Sequence, residues 1–389
     1  MGIILLLVAI VVAYWAAEAI KLRRALRALP VRIHVNGSRG KSSVTRLIAA
    51  GLRESGMRTV AKTTGSKARY IHPDGREEPI VRLGSPNICE QVGVLDRARR
   101  EGARAIVIEC MAVRPDIQKI AEEDILHSTI GVITNVRADH LDVMGPTVAD
   151  AAIAISATIP VNGFAVAGPT KHIEILEDRA DANGTRFERA DPASLPPGAM
   201  DGFAFLEHEE NVAVALAVTR RLGVPDATAL RGMYRVTPDP GACMSWTFDH
   251  AGRRIEFHSI FAANDLESTA AVWKRLGLET GSGGATVALL NLRADRVDRS
   301  VQFSEAVDHL FHADHYVLVG DTSDRIVRRF LRRIPSGRLH PLAKPTPGEV
   351  FDRIASLGEG GVRVGAVGNI GGIGHDILQF VHKRGGVSC

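Results

Sequence analysis

Residues 36–43 read Asn36, Gly37, Ser38, Arg39, Gly40, Lys41, Ser42, Ser43. Glycines at these positions let backbone N–H groups turn toward an anion, and a helix starting at Lys41 adds the positive end of its dipole. Lys41 could then bridge terminal phosphates and Ser42 could ligate Mg2+. The spacing is a compressed GxxGK[ST][ST], because Val35 stands where the commoner GxxxxGK[ST] loop has its first glycine. A second constellation runs from Thr134 and Asn135 through Asp139 and His140 to Asp142. It sets a histidine between two carboxylates just after an asparagine, a pattern suited to metal binding or catalysis. The third feature is Glu109, which closes an apolar run. A carboxylate at a strand end beside bound phosphates makes sense as a Mg2+ ligand.

These residues need a scaffold that gathers them. Apolar runs at 31–35, 105–108 and 129–133 read as buried strands, and each ends in one of the three polar groups. A helix is expected over 41–55, stopped by Gly56, and another over 212–222, stopped by Gly223 and Pro225. Short strands alternating with helices imply an α/β fold with a parallel sheet, whose ligands sit at the C-terminal strand ends. The run Thr237, Pro238, Asp239, Pro240, Gly241 reads as a linker. Beyond it the alternation restarts, with strands expected at 287–290, 316–319 and 362–367.

The first residues obey a different rule. Residues 2–17 carry no charge, and about 20 helical residues span the roughly 30 Å of a bilayer's hydrocarbon. Tyr14 and Trp15 suit an interface, and Lys21, Arg23, Arg24 and Arg27 follow at once. The expected topology is therefore a single-pass anchor in the cell membrane with everything after it cytoplasmic. A cleaved signal peptide would need positive charge ahead of its apolar run. The expected division is an anchor at 1–20, an ATP-binding domain at 21–237 and a smaller Rossmann-like domain at 238–389. The net charge of +4 is spread along 389 residues of which 5% are aromatic, which argues against nucleic-acid binding. The four cysteines form no CxxC pair and read as reduced thiols.

Taken together, residues 37–43, Glu109 and residues 135–142 resemble the Mur ligase superfamily, with its GTxGK[ST][ST] loop, strand-terminal Glu and NxxxDHxD. Asn211 matches the first Asn of that family's HNxxNxxAA helix, which the resemblance assigns to adenine; Val214 replaces the second. A Mur-like ATPase core directly behind one apolar helix is similar to the PgsB/CapB family of poly-γ-glutamate synthases. Residues 261–269, 291–300 and 368–374 look like the same family.

The resemblance implies an ATP-dependent ligase in which ATP phosphorylates a γ-carboxylate of glutamate or of the growing poly-γ-glutamate, and an amine attacks the acyl phosphate. It implies ATP and Mg2+ as cofactors, with catalysis by Lys41, Glu109 and His140. The nucleotide would be held by residues 36–43, Asn135 and Asn211, and the metal by Ser42, Glu109 and His140. Substrate contacts are expected from Asn264, Asp265, Arg293 and Arg296. It also implies a capsule or released polymer and an integral-membrane partner subunit, with a further extracellular-facing one. Two departures stand out. Residues 142–170 contain no lysine for carbamylation, and Ser259 stands near the position of the ribose-binding Asp. The competing readings are a folylpolyglutamate-type or other amino-acid ligase, and a membrane-anchored transport or scaffold ATPase that hydrolyses ATP without forming amides.

Overall fold

The structure, a computed structural model, describes residues 2–64, 68–82, 84–203, 205–238, 243–261, 266–279, 284–294 and 297–388. The chain folds as two compact units, Met1–Phe203 with Glu207–Asp239, and Ala204–Leu206 with Pro240–Cys389.

The first unit contains, in chain order, α1 (Gly2–Ala28), β1 (Val31–Asn36), α2 (Lys41–Glu54), β2 (Thr59–Thr63), β3 (Arg69–Ile71), β4 (Glu77–Pro79) and α3 (Glu90–Arg100). There follow β5 (Ala105–Glu109), α4 (Pro115–Ile120), β6 (Ile130–Ile133), α5 (Leu141–Met144), α6 (Val148–Ser156), β7 (Phe164–Ala167), α7 (Ile173–Ala182), β8 (Arg186–Arg189), α8 (Glu209–Arg221) and α9 (Asp226–Met233). The sheet order is β4-β3-β2-β5-β1-β6-β7-β8. β1 lies at its centre, parallel to β5 (Val35 opposite Glu109) and to β6 (Asn36 opposite Ile133). The apolar runs read from the sequence are therefore neighbouring strands. Their polar ends meet at one edge because parallel strands finish together.

Helix α1 continues past the apolar stretch, and its last turns belong to the core. Leu22, Ala25, Leu26 and Leu29 recur at helical spacing and pack with Leu95 and Ala98 of α3 and Val60 and Ile106 of the sheet. Arg32 caps the helix C-terminus, its Nη1 donating to the Leu29 (2.7 Å) and Leu26 (3.4 Å) carbonyl oxygens.

The second unit holds β9 (Met244–His250), β10 (Arg253–Ser259), α10 (Leu266–Arg275), β11 (Ala285–Leu292), α11 (Val297–Leu310), β12 (His315–Gly320), α12 (Asp324–Leu331), β13 (Leu339–Pro341), α13 (Pro347–Ala355), β14 (Val362–Gly368), α14 (Ile373–Arg384) and β15 (Gly386–Ser388). Its sheet order is β13-β12-β11-β14-β10-β9-β15, parallel from β13 through β10 and antiparallel at β9 and β15. Apolar clusters pack on the sheet, one around Trp273, Phe303 and Phe311 and another around Phe257, Phe351 and Val364. Cys110 and Cys243 are buried free thiols and Cys89 is exposed.

Candidate active site

The loop between β1 and α2 has a shape that only glycine permits at two points. Gly37 has φ +132° and Gly40 has φ +80°, and an added Cβ would lie 2.1 Å from Thr134 Oγ1 or 2.6 Å from Asn211 Oδ1. The loop is held from below by the segment after β6. The Ser38 N–H donates to the Asn135 carbonyl (3.0 Å), and the Arg39 N–H to Asn135 Oδ1 (3.1 Å). In return Asn135 Nδ2 (3.1 Å) and Thr134 Oγ1 (2.5 Å) donate to the Arg39 carbonyl. Ser38 Oγ accepts from the Arg137 N–H (2.9 Å). Asn36 Oδ1 accepts from the Gly37 N–H (2.8 Å), while its Nδ2 donates to Gln118 Oε1 (2.7 Å) and Thr158 Oγ1 (3.2 Å). Asn211 donates to Glu207 Oε1 (2.7 Å) and fills the space beside Gly40. The three asparagines expected to meet the nucleotide thus have side chains turned to the protein. Asn36 and Asn135 brace the loop, and Asn211 packs beside Gly40.

Lys41 and Ser42 are presented differently. Lys41 opens α2 and folds over the loop, its Nζ donating to the Gly37 (2.5 Å) and Ser38 (3.3 Å) carbonyl oxygens. These are partners that a phosphate oxygen could replace. Ser42 Oγ donates to Glu109 Oε2 (2.8 Å), and the same oxygen accepts the Thr64 N–H (2.6 Å). Glu109 is buried, with Lys62 near it on the neighbouring strand. The Lys62 side chain is fully enclosed, its Nζ 2.5 Å from Glu90 Oε1, and Arg82 pairs with Glu90 at 2.8 Å. Burial lowers the Lys62 pKa, opposed by its hydrogen bond to Glu90 and by the charges of Glu90 and Glu109. Thr64 and Lys62 were missed in the sequence, although the polar run ending β2 was a signal for them.

His140 lies on a tight turn. It adopts φ 50° at the start of the short α5, its side chain is 54% exposed, and its charged neighbour is Asp139 at 4.0 Å. Among the described residues no three His, Cys, Asp or Glu side chains converge as a metal-binding group. Ser42 and Glu109 are brought together by a direct hydrogen bond, and His140 is held on a left-handed turn with its side chain exposed. Asp139 itself pairs with Arg39 (3.3 Å), tying this segment to the phosphate loop. Of the expected substrate residues, Asn264, Asp265 and Arg296 lie outside the described residues. Arg293 follows β11 in the second unit, where it packs over Gly371; Asn291 Nδ2 donates to the Asn369 (2.5 Å) and Gly371 (2.9 Å) carbonyls. The segments 291–294 and 368–374 are thus neighbours, as the pairing of β11 with β14 requires.

A second buried network underlies the loop. His34, on β1, bonds through Nδ1 to Glu122 Oε2 (2.8 Å), and Glu122 Oε1 accepts from the Ser128 N–H and Oγ (both 2.8 Å). Burial alone would lower the His34 pKa. Hydrogen bonds to Cys110 and Glu122 and the negative charge of Glu122 outweigh it, raising the pKa to about 10 and favouring the protonated ring.

The residues fit the groups that such a loop would hold. Its glycines leave a cradle that a Cβ would fill, and a hydroxyl beside a carboxylate is a hard-oxygen donor pair suited to a divalent ion.

Family models match the chain twice: the Mur ligase middle domain over residues 35–191, and the poly-gamma-glutamate synthase CapB C-terminal domain over residues 246–384. The chain is 38% identical over 389 residues to the PGA synthase CapB of Bacillus subtilis (strain 168), covering 98% of both. It is 35% identical to the capsule biosynthesis protein CapB of Bacillus anthracis, covering 93% of this chain and 78% of that one. Among solved structures it is similar to Escherichia coli FolC in complex with ADP, at TM-score 0.69 and 14% identity over 94% of this chain and 93% of that one. It is likewise similar to the bifunctional folylpolyglutamate synthase/dihydrofolate synthase of Yersinia pestis complexed with AMPPNP and Mn ion, at TM-score 0.65 and 15% identity over 94% and 92%.

Proposed function

The chain belongs to the CapB family of poly-γ-glutamate synthases, within the Mur ligase superfamily, and from that premise we propose how its own residues join glutamate through γ-carboxylates. It is an ATP-dependent amide ligase that uses a divalent metal, which we take to be Mg2+. A γ-carboxylate oxygen attacks the terminal phosphorus of ATP, the bond to the bridging oxygen breaks, and ADP departs. The amine of the partner amino acid then attacks the acyl carbon, phosphate leaves with that carboxylate oxygen, and the amine loses a proton as the amide forms.

The obstacle is charge, since a carboxylate must approach a polyanion. Lys41 and the N-terminal N–H groups of α2 offset the repulsion on the phosphate side. Ser42 and Glu109 would hold the metal, which neutralises phosphate oxygens when bound, and His140 is available at the exposed rim of the same edge. Preorganised charges of this kind are typically worth about 3–4 kcal/mol of barrier each. The observation that carries this reading is the Ser42–Glu109 pair at the start of α2, directly beneath a loop only glycine can form.

Residues 2–20 serve as the membrane anchor in this reading, with both units in the cytoplasm. One helix makes no pore, and even a single charge is costly in hydrocarbon, so a polyanion leaves through an integral-membrane partner subunit, with an outward-facing subunit beyond it. The test compares glutamate-dependent ADP release by the wild type with that of Lys41→Ala. We expect a loss of about 100-fold or more with the fold retained. Activity above about a tenth of wild type would place the ATP site elsewhere.

A further inference from the structure

We infer that the catalytic edge of the nucleotide-binding unit faces the bilayer, an inference resting on residues 2–20 being the membrane span. The direction of α1 carries it. β1 and β5 are parallel neighbours, with Val31 opposite Ala105. α1 enters β1 through Leu29 and Pro30, and α3 enters β5 through residues 101–104, so both helices end at the same edge of the sheet. The Val31 N–H donates to the Arg104 carbonyl (3.3 Å), joining the two connections. The helices also lie side by side. Leu22, Ala25, Leu26 and Leu29 cluster with Leu95, Ala98 and Ala103, and Lys21 Nζ stands 3.9 Å from Asp96 Oδ2. Lys21 precedes its strand by about as many residues as Asp96 precedes its own, so the two helices run parallel at matching height.

Followed back toward its start, α1 therefore runs antiparallel to the strands. It rises past their C-terminal ends, where Asn36, Lys41 and Glu109 lie. Ile20 stands about 13 Å above Leu29 at 1.5 Å per residue, and a strand the length of β1 is about 20 Å tall. The exposed apolar part of the helix begins only a few ångströms short of the catalytic edge and continues beyond it. Val81 is 81% exposed just past the outer end of β4, at that same edge. An exposed valine also occurs at the other end of the sheet, Val161, so helix direction decides the matter and exposed valines do not. The far edge is densely charged, with a cavity of about 630 Å³ lined by Arg53, Arg58, His72, Asp74, Arg76 and Glu101. With the edge toward the membrane, a new amide forms next to the bilayer, and the product reaches a membrane partner without rounding the domain.

The full chain offers its own reporter. Cys89 is exposed at the catalytic-edge end of α3, while Cys110 and Cys243 are buried. In a Cys389→Ser background a fluorophore is attached to Cys89. In a second protein it is attached at the far edge through Arg104→Cys with Cys89→Ser, and in a third through Asp74→Cys with Cys89→Ser. Each is reconstituted into phosphatidylcholine–phosphatidylglycerol vesicles carrying nitroxide-labelled headgroups. The expected result is flotation of all three with the vesicles, and quenching several-fold stronger at position 89 than at 104 or 74. Flotation with equal quenching, or stronger quenching at the far edge, overturns the orientation and leaves the anchor standing. Failure to float overturns the anchor and the orientation with it.

Discussion

Replacing Gly40 with alanine adds one carbon to the phosphate loop, at a place where two costs coincide. The backbone there has φ +80°, which an L-residue adopts at a cost of about 1–2 kcal/mol. The new Cβ would also stand 2.6 Å from Asn211 Oδ1, and Asn211 cannot withdraw without disturbing its 2.7 Å hydrogen bond to Glu207, worth about 1 kcal/mol. The sum is about 2–3 kcal/mol. If the free loop relaxes, it must regain its form to bind, and the cost emerges as a fall in ADP affinity of about 30- to 150-fold. If packing holds the loop in place, the cost emerges instead as lost stability. Titration calorimetry with ADP and a urea melt, on the same preparation, read both. The control is Gly75→Ala, with a similar φ of +87° but only Arg53 Nε nearby, at 3.9 Å, on the opposite edge. It should lose stability alone. Gly40→Ala with affinity and stability both unchanged, or Gly75→Ala with weakened ADP binding, would refute the assignment of this loop.

His34 is charged in the folded protein because its pKa is raised from 6.5 to about 10. Its contribution is therefore fully present below about pH 6.5 and is lost as pH rises through 10, amounting to about 3–5 kcal/mol across that window. The melting temperature should fall between pH 7 and 10, and His34→Gln should flatten that slope; an unchanged slope in the variant contradicts the buried cation. His140→Ala, on an exposed turn, should leave the melting temperature unchanged while raising the half-maximal metal concentration roughly tenfold. A lowered melting temperature with no change in metal requirement would make that histidine structural.

Much of the first unit was legible because strand, glycine loop, lysine, hydroxyl and helix follow one another directly. α2 starts at Lys41, and the carboxylate of Glu109 ends β5, as local patterning implies. Less legible was which polar side chains are bonded within the protein itself. Asn36, Asn135 and Asn211 carry the same amide, and only the tertiary arrangement shows that Gln118, the Arg39 backbone and Glu207 occupy them. The Thr64 N–H on Glu109 depends on β2 lying beside β5, a fact of sheet order that no local pattern contains. His34 was hidden for a related reason. Inside a strand it reads as one more buried position, and its partner Glu122 lies 88 residues away. The apolar start of α1 was plain from composition, but the packing of its last turns on α3 rests on a stripe of only four residues, Leu22, Ala25, Leu26 and Leu29.

The most direct measurement follows an oxygen atom. Glutamate labelled with ¹⁸O in its γ-carboxylate is supplied with ATP to the membrane-reconstituted protein, together with whatever partner subunit polymer formation requires, and the released phosphate is weighed by mass spectrometry. Activation of the γ-carboxylate transfers one of its oxygens to phosphorus, so each amide formed should yield one phosphate carrying a single ¹⁸O. Phosphate released without label, at a rate set by glutamate, would mean that water attacks the nucleotide and that this chain is not a γ-carboxylate ligase.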